Sequence, residues 1–415
     1  MLPHGSDVRR NDVAPGRDQT SVDRAPYNAA VPVILGSAGL ASRLRGHRVG
    51  LVANPASIGP DFAHVTDQVA SLPGVTLAAL FGPQHGFRSD VQDNMVETDH
   101  ATHPTLDIPI YSLYGDTREP DDAMLAGLEL LVIDLQDVGT RVYTYIHTMT
   151  NCLRACARNG VAVVVCDRPN PIGGLAVEGG LLEPGFESFV GLFPVPLRHG
   201  MTIGEMARLC NDSFHLGASL EVLPLQGWHR GMYHDDTGLP WVLPSPNLPT
   251  LDSAIVYPGQ VLLEGTNLSE GRGTTRPFEL AGAPWLDAHT VASIMNGYQL
   301  PGVFVRPAEF QPTFQKHAGA PCGGCQLHVT DRTRFRPVLT TVALLQTCRR
   351  LDPERFAWRQ PPYEYEPIIP PIDILSGSDV LRRQLDDDIP FATIAESWTE
   401  DLEAFRDRRE RCLMY

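Results

Sequence analysis

The sequence predicts an α/β protein with a Rossmann-like, mostly parallel sheet flanked by helices, followed by a smaller α+β domain. From residue 48 onward, short β-branched runs alternate with helical patterns, which is typical of βα units. The length of 415 residues also exceeds the roughly 100–200 residues of one domain. We therefore expect a disordered tail over residues 1–30, a Rossmann-like domain over 31–250 and the smaller domain over 251–415.

Five strands are predicted in the first domain, each from a short apolar run. Their ranges are 48–53, 75–81, 129–135, 161–167 and 220–225. A helix is predicted from Val142 to Arg158, because apolar residues recur at i, i+3 and i+4 and Gly160 follows as a stop. Thr202 and Glu205 match the S/T-x-x-E capping pattern of a further helix start.

A proline-rich passage over residues 239–258 interrupts this alternation and is the predicted hinge. Beyond it, short strands are predicted at 303–306 and 326–330. The chain then closes with a helix whose apolar stripe indicates core packing. The stripe consists of Phe391, Ile394, Trp398, Leu402 and Phe405.

Composition and charge restrict the classes of partner that the protein can bind. The net charge of −16 opposes binding to nucleic acid phosphates and to anionic membranes, so we expect a small-molecule substrate and neither of those partners. The first thirty residues contain no apolar signal-peptide core, which favours a cytoplasmic location. Eight cysteines are too few for a disulfide framework, and we expect them to be reduced. The sequence leaves the oligomeric state open.

No cofactor or metal is predicted. No G-x-G-x-x-G motif follows the first strand, the glycine spacing over residues 264–278 does not match a P-loop, and no G-x-S-x-G elbow occurs. His317, Cys322, Cys325 and His328 lie within twelve residues. Cys325 and His328 differ by three positions, however, so on a strand they face opposite sides, and zinc is the weaker interpretation.

Polar side chains follow the first four predicted strands, where ligands of open α/β sheets bind. They include Asn54, Gln84, His85, Arg88, Asp137, Arg141, Asp167, Arg168 and Asn170. Asn54 and Asn170 stand beside prolines and are equally well explained as turn formers. We interpret Asp167 as functional and Asp134, inside a strand, as structural. Of Tyr143 and Tyr145, one can face the cleft while the other packs.

A second polar cluster spans residues 264–278 and combines carboxylates, guanidinium groups and glycines. Its functional candidates are Glu264, Asn267, Glu270 and Arg272. The alternative interpretation is a solvated, self-neutralising turn. Carboxylates, amides, arginines and aromatics together suit sugar chemistry, in which a protonated carboxylic acid assists the leaving oxygen.

Several motifs resemble one known family. FGPQHGFR, IDLQDVGTRVYTY, CDRPNPIGG and EGTNLSEGRGTTRPFELAGAPW stand in the same order as in the family once called domain of unknown function 1343. Its members are the NamZ-type exo-β-N-acetylmuramidases of glycoside hydrolase family 171, and the similarity runs from about residue 33 to the C-terminus. The resemblance implies a Rossmann-like domain, a smaller second domain and a cleft between them. It further implies release of non-reducing-end N-acetylmuramic acid from peptidoglycan fragments, and a cytoplasmic member would act on recycled fragments.

The resemblance also implies a site built from the loops at 84–85, 137–141, 167–170 and 264–272. An arginine among Arg88, Arg141, Arg168 and Arg272 would suit the lactyl carboxylate, since a guanidinium donates two parallel hydrogen bonds.

The sequence departs from the family's pattern at the glutamate that would act as the general acid. The family's P-E-H-G motif has a glutamate where this chain has Gln84, and an amide cannot transfer a proton. The candidates to replace it are Glu97, Glu178, Glu264 and Glu270, of which we expect Glu178 and Glu270 to lie nearest the cleft. His85, a loop histidine with no core to satisfy, is the third residue expected to be catalytic. If the acetamido group of the sugar is the nucleophile, Gln84 could orient it. The alternatives are a non-catalytic sugar-binding or regulatory homologue, or different chemistry on the same scaffold.

Overall fold

The computed structural model describes residues 33–92 and 95–415, so the predicted tail over residues 1–30 lies outside the described residues. The strands of the main sheet are β1 Arg48–Ala53, β2 Thr76–Gly82, β3 Ala101–Thr102, β4 Pro109–Ser112, β5 Leu130–Asp134, β6 Ala162–Cys166 and β7 Leu220–Leu223. Their order is β3-β4-β2-β1-β5-β6-β7, and every neighbouring pair is parallel except β3 with β4. The mostly parallel sheet is therefore confirmed.

Helices cover both faces of this sheet. They are α1 Leu40–Leu44, α2 Val65–Ala70, α3 Asp122–Leu125, α4 Tyr145–Asn159 and α5 Ile203–Ser213. Successive strand residues point to opposite faces: Leu51 packs in the core beneath α1 and α2, while Val52 packs in the core beneath α4 and α5. Both faces of the central strands are buried, which explains their continuous apolar runs.

The ends of α4 and α5 follow local chemistry. The predicted helix 142–158 begins at Tyr145, because the preceding residues form a turn in which the Tyr143 N–H donates to the Thr140 carbonyl at 3.0 Å. Gly160 ends this helix in a left-handed conformation at φ +67°, as predicted. The capping box of Thr202 and Glu205 is also confirmed, with each side chain accepting from the other's backbone N–H.

The smaller second domain contains an antiparallel sheet in the order β8-β10-β9, formed by β8 Leu280–Ala283, β9 Val303–Phe310 and β10 Cys322–Val329. Its helices are α6 Leu251–Gln260, α7 Ala288–Gly297, α8 Pro337–Leu351, α9 Pro371–Ser376, α10 Val380–Asp386, α11 Phe391–Glu396 and α12 Thr399–Glu410. Single 3₁₀ turns lie at Gly36–Gly39, His234–Asp236 and Val261–Gly265.

Two expectations for this region need correction. The last part of the proline-rich passage is not a hinge loop, because α6 begins at Leu251 and incorporates Pro258. The predicted C-terminal helix is two helices, since the Ser397 N–H turns back to Thr393 and Ile394 and α12 starts after Trp398. Ile394, Trp398 and the rest of the stripe on α12 are nevertheless buried, as core packing requires.

One apolar cluster continues from the main sheet into the second domain. It contains Val52 of β1, Leu262 of the 3₁₀ turn after α6 and Leu344 of α8. The two domains therefore share a packed interface beside the loops that follow the strands. Within the described part of the chain, no helix is both long and apolar enough to cross a membrane.

Candidate active site

A pocket lies where the loop after β2 meets residues 264–278 and residues 363–364 of the second domain. Its polar lining includes Gln84, Tyr143, Glu264, Arg272, Tyr363 and Glu364, and its free volume is about 40 Å³. His85, Phe278 and Glu364, all in its lining, have left-handed backbones at φ +70°, +64° and +44°. Such conformations cost about 1–3 kcal/mol each outside glycine and persist where the surroundings enforce them, often at functional sites.

Glu364 is a carboxyl group of the pocket whose pKa is raised. Only 3% exposed, it accepts a hydrogen bond from the Tyr114 hydroxyl at 2.9 Å and from the Gln84 amide at 3.3 Å. The Gln84 carbonyl in turn accepts from Thr144 at 2.8 Å, which fixes the orientation of the amide. Burial, with the nearby charge of Glu264, raises the pKa of Glu364 to about 7 despite the two hydrogen bonds. Glu364 therefore carries a proton over much of the range below neutral pH.

Glu264 is tuned in the opposite direction. Its carboxylate accepts from Arg272 at 2.7 Å and from the Tyr363 hydroxyl at 2.8 Å. Burial opposes its ionisation, but the Arg272 cation and these hydrogen bonds outweigh burial and lower the pKa of Glu264. Two carboxyl groups with pKa values moved apart mark a division into acid and anion.

Glu270 lies behind Arg272 and does not line the pocket. Its carboxylate is 3.4 Å from Nε of Arg272 and 2.8 Å from Nζ of Lys316, the chain's single lysine. The lysine also donates to the carbonyls of Leu263 and Leu268 at 2.8 and 2.9 Å. This buried network of alternating charges holds Arg272 and the glycine-rich loop in place.

Five of the predicted site residues line the pocket: Gln84, His85, Tyr143, Glu264 and Arg272. Other candidates lie elsewhere. Glu178 is buried, with its carboxylate accepting from the Leu339 N–H at 2.8 Å and lying 3.5 Å from Arg336. Asn267 bonds the backbone of Arg355 and Ala357.

Two further candidates lie at the surface. Arg88 is exposed, and Glu97 pairs with Arg118 at 3.3 Å. Neither side chain lines the pocket.

The remaining predicted residues form hydrogen bonds or ion pairs with other protein groups outside the pocket. Asp167 accepts from the hydroxyls of Thr202 and Tyr415 and from the Gly204 N–H at 2.7–2.8 Å. Burial raises the pKa of Asp167 to about 7, against these hydrogen bonds. Arg168 pairs with Asp134.

Arg141 is fully buried, and its guanidinium donates to the carbonyls of Gly180, Val195 and Leu375 at 2.8–3.0 Å. It thereby ties loops of the first domain to α9 of the second.

Three loop residues complete the set. Asn54 donates to the Pro244 carbonyl, and Asn170 donates to the Met201 carbonyl. Asp137 accepts from the Gly139 N–H at 2.7 Å and lies 3.4 Å from His199. These contacts order the loops at the carboxyl ends of the strands.

The cysteine and histidine cluster does not converge. Cys325 is fully buried on β10 whereas His328 is exposed, so the two side chains face opposite sides, as predicted. Among residues 33–92 and 95–415, no group of three or more His, Cys, Asp or Glu side chains is arranged to hold a metal ion.

Glu364 and Tyr363, two central residues of the pocket, were not among the predicted site residues. They belong to the stretch PPYEYEP, in which two tyrosines and two glutamates alternate between prolines. That stretch is in the second domain and follows no strand of the main sheet, so the strand-loop rule does not reach it. The alternation of acid and aromatic residues within a proline-bounded loop is the one local signal it offers.

The fold and the pocket define a two-domain α/β protein with a pocket of carboxyl, guanidinium and tyrosine side chains at the domain interface. Family profiles described as exo-beta-N-acetylmuramidase NamZ, N-terminal and C-terminal, match residues 49–252 and 255–415. The chain belongs to this NamZ family, which confirms the resemblance seen in its motifs.

The individual relatives agree. The chain is 44% identical over 373 residues to the peptidoglycan beta-N-acetylmuramidase NamZ of Bacillus subtilis strain 168, covering 90% of this chain and 88% of that protein. A crystal structure of a DUF1343 family protein from Bacteroides fragilis superposes with a TM-score of 0.86 at 33% identity, covering 93% of this chain and all of that one. A second from the same organism gives 0.71 at 26% identity, covering 93% and 99%.

Proposed function

We propose that this chain is a glycoside hydrolase that releases N-acetylmuramic acid from the non-reducing ends of peptidoglycan fragments. The observation that carries the proposal is Glu364, a buried acid with a pKa near 7, in one pocket with the ionised Glu264. The 44% identity to a peptidoglycan β-N-acetylmuramidase supports the same reaction. The absence of a glutamate at position 84 is compatible with it, because Glu364 supplies a protonated carboxyl beside Gln84.

In this mechanism, Glu364 protonates the glycosidic oxygen as the bond to the leaving sugar breaks. Glu264 remains an anion and stabilises the positive charge that develops on the ring. Gln84 acts as a positioning residue: its amide N–H donates to Glu364 and its carbonyl accepts from Thr144, so it holds the acid, and its second N–H can donate to the substrate's acetamido group. Glu364 is then the base that activates water.

Arg272 is the proposed partner of the lactyl carboxylate. Among the four arginines named for this role, it alone lines the pocket. Its guanidinium has five N–H donors, and the contacts with Glu264 and Glu270 leave donors for a substrate carboxylate.

The test uses two isomeric disaccharides, one with N-acetylmuramic acid at the non-reducing end and one with N-acetylglucosamine there. We expect free N-acetylmuramic acid from the first and no product from the second. The second candidate function, a sugar-binding homologue, is motivated by Gln84. It would show ligand-dependent thermal stabilisation with no release from either disaccharide.

A cytoplasmic site of action, on recycled fragments, is part of this proposal. All eight cysteines are free and buried, which agrees with a reducing compartment. Cell fractionation with an antibody against the chain tests it. The domain boundary between residues 250 and 251 stays a prediction.

A further inference from the structure

A second depression adjoins Glu364, and we call it the outer cleft. Its walls include Glu97, Arg118, Phe189 and Tyr365, and at about 530 Å³ it is much larger than the pocket, at about 40 Å³. Glu364 lines both spaces. The carboxyl group that we propose as the acid therefore stands at the junction between the pocket and a wider space.

Aromatic side chains form one wall of the outer cleft. The ring of Tyr114, whose hydroxyl bonds Glu364, lies 5.4 Å from the ring of Phe189 and 5.9 Å from the ring of Tyr365, measured between centroids. The guanidinium carbon of Arg118 lies over all three rings, 4.5 Å from the centroid of Tyr114, 5.6 Å from that of Phe189 and 4.0 Å from that of Tyr365. It therefore covers one face of the Tyr365 ring, and the other face is the one a ligand can meet. Tyr365 keeps 51% of its surface exposed. An aromatic ring held in place and still open to solvent is a platform for an apolar ligand face.

The backbone and a charged pair fix this platform. Tyr365 has a left-handed conformation at φ +69°, directly after Glu364, so the acid and the ring are set by one strained turn. Arg118 is anchored by Glu97 at 3.3 Å and by the Gly115 carbonyl. The position of the Tyr365 ring relative to the carboxyl of Glu364 is thereby defined before any ligand binds.

We infer that the outer cleft binds the leaving-group sugar, whose apolar ring face stacks on Tyr365 and Phe189. The inference rests on the proposed function. A general acid must reach the oxygen that joins the terminal sugar to the next one, so it must border the sites of both sugars. Glu364 borders the pocket and the outer cleft, and the outer cleft is the larger of the two spaces, so it takes the part of the fragment beyond the bond that is cleaved.

The experiment compares two substrates that share the terminal sugar. One is the disaccharide with N-acetylglucosamine as leaving group, and the other is the β-fluoride of N-acetylmuramic acid, whose leaving atom is too small to touch the aromatic wall. For Tyr365→Ala we expect kcat/KM to fall about tenfold or more on the disaccharide and to stay within about twofold on the fluoride. Tyr365→Phe keeps the ring and should restore activity on the disaccharide.

Two variants make the comparison specific. Phe189→Ala, on a different loop, should show the same split between the substrates if it folds with the wild-type Tm. Phe304→Ala removes a comparably exposed ring, 52% exposed on β9, and should change neither rate.

The inference is overturned if Tyr365→Ala leaves kcat/KM on the disaccharide unchanged. It is equally overturned if both substrates lose activity to the same extent, because the ring would then act on Glu364 rather than on the leaving sugar. If the wild-type protein releases N-acetylmuramic acid from neither substrate, the proposed function has failed, and the inference falls with it. Inactivity of the wild-type protein on both substrates is thus distinguishable from a loss of activity that occurs only in a variant.

Discussion

Replacing Glu364 by glutamine isolates the contribution of a single proton. The side chain keeps its shape, and its carbonyl oxygen can still accept from the Tyr114 hydroxyl, but it has no acid to give. General acid catalysis contributes about 10²–10⁴-fold. At about 1.4 kcal/mol per tenfold change, Glu364→Gln should raise the barrier for the disaccharide by about 3–5 kcal/mol.

The assay is kcat/KM on two substrates over a pH series. A 4-nitrophenyl glycoside of N-acetylmuramic acid has a leaving group that departs without protonation, so Glu364→Gln should slow it far less than the disaccharide. In the wild type the acid must be protonated, so activity is present below a pKa of about 7 and is lost as pH rises through it. The variant should lack this decline. On the acid side, activity should persist below the ordinary glutamate pKa, because Glu264 must be ionised and its pKa is lowered.

A matched variant supports the interpretation. Glu354→Gln makes the same chemical change on an exposed side chain outside the pocket and should leave both rates unchanged. Two results would refute the assignment of Glu364 as the acid. One is an equal loss of kcat/KM on both substrates in Glu364→Gln, and the other is a decline of activity near pH 7 that persists in Glu364→Gln.

Three further changes test the surrounding structure. Gln84→Glu places a second carboxyl about where the amide now lies, 3.3 Å from Glu364, so the pKa of the pair should rise and the alkaline limit of activity should move to higher pH in the same assay. Arg141→Met leaves two buried carbonyls and one partly buried carbonyl without this donor and should lower the free energy of unfolding by about 3–5 kcal/mol, measured in urea; a loss below about 1 kcal/mol would contradict a structural role. Tyr415→Phe removes a donor to Asp167 and should cost about 1.5–3 kcal/mol at pH 8, where Asp167 is ionised, and less at pH 5, where it is protonated; equal losses at both pH values would exclude this account.

The sheet was predictable because its central strands are buried on both faces. A run such as Arg48–Ala53 needs only continuous apolar character to be recognised, and all five predicted strands are present. The strands that were missed lack that character. β3 has two residues, β4 begins with a proline, and β8 reads Leu-Ala-Gly-Ala with no β-branched residue, so each depends on the strand beside it.

The site was predictable only in part. Gln84 and Glu264 were found because one follows a parallel strand and the other lies in a dense polar segment, and both rules point to a shared interface. The same rules do not say whether a polar side chain faces a ligand or another part of the protein, and Asp167 faces the start of α5 and Tyr415. The pKa of Glu364 depends mainly on its burial between the two domains, among residues that are far from it in the sequence. No local sequence pattern encodes that burial.

The pair of Gln84 and Glu364 bears on how this chain would carry out the proposed reaction with glutamine at position 84. A glutamate at that position would share one small site with Glu364, and two carboxyl groups so close would compete for a single proton. With glutamine present, the amide donates to Glu364 and accepts from Thr144. Glu364 is then the one carboxyl group of this pair that can carry the proton. We therefore propose that Glu364 supplies the acid in this chain, where glutamine stands at position 84. Loss of the acid from the pocket would have required a second substitution, at position 364.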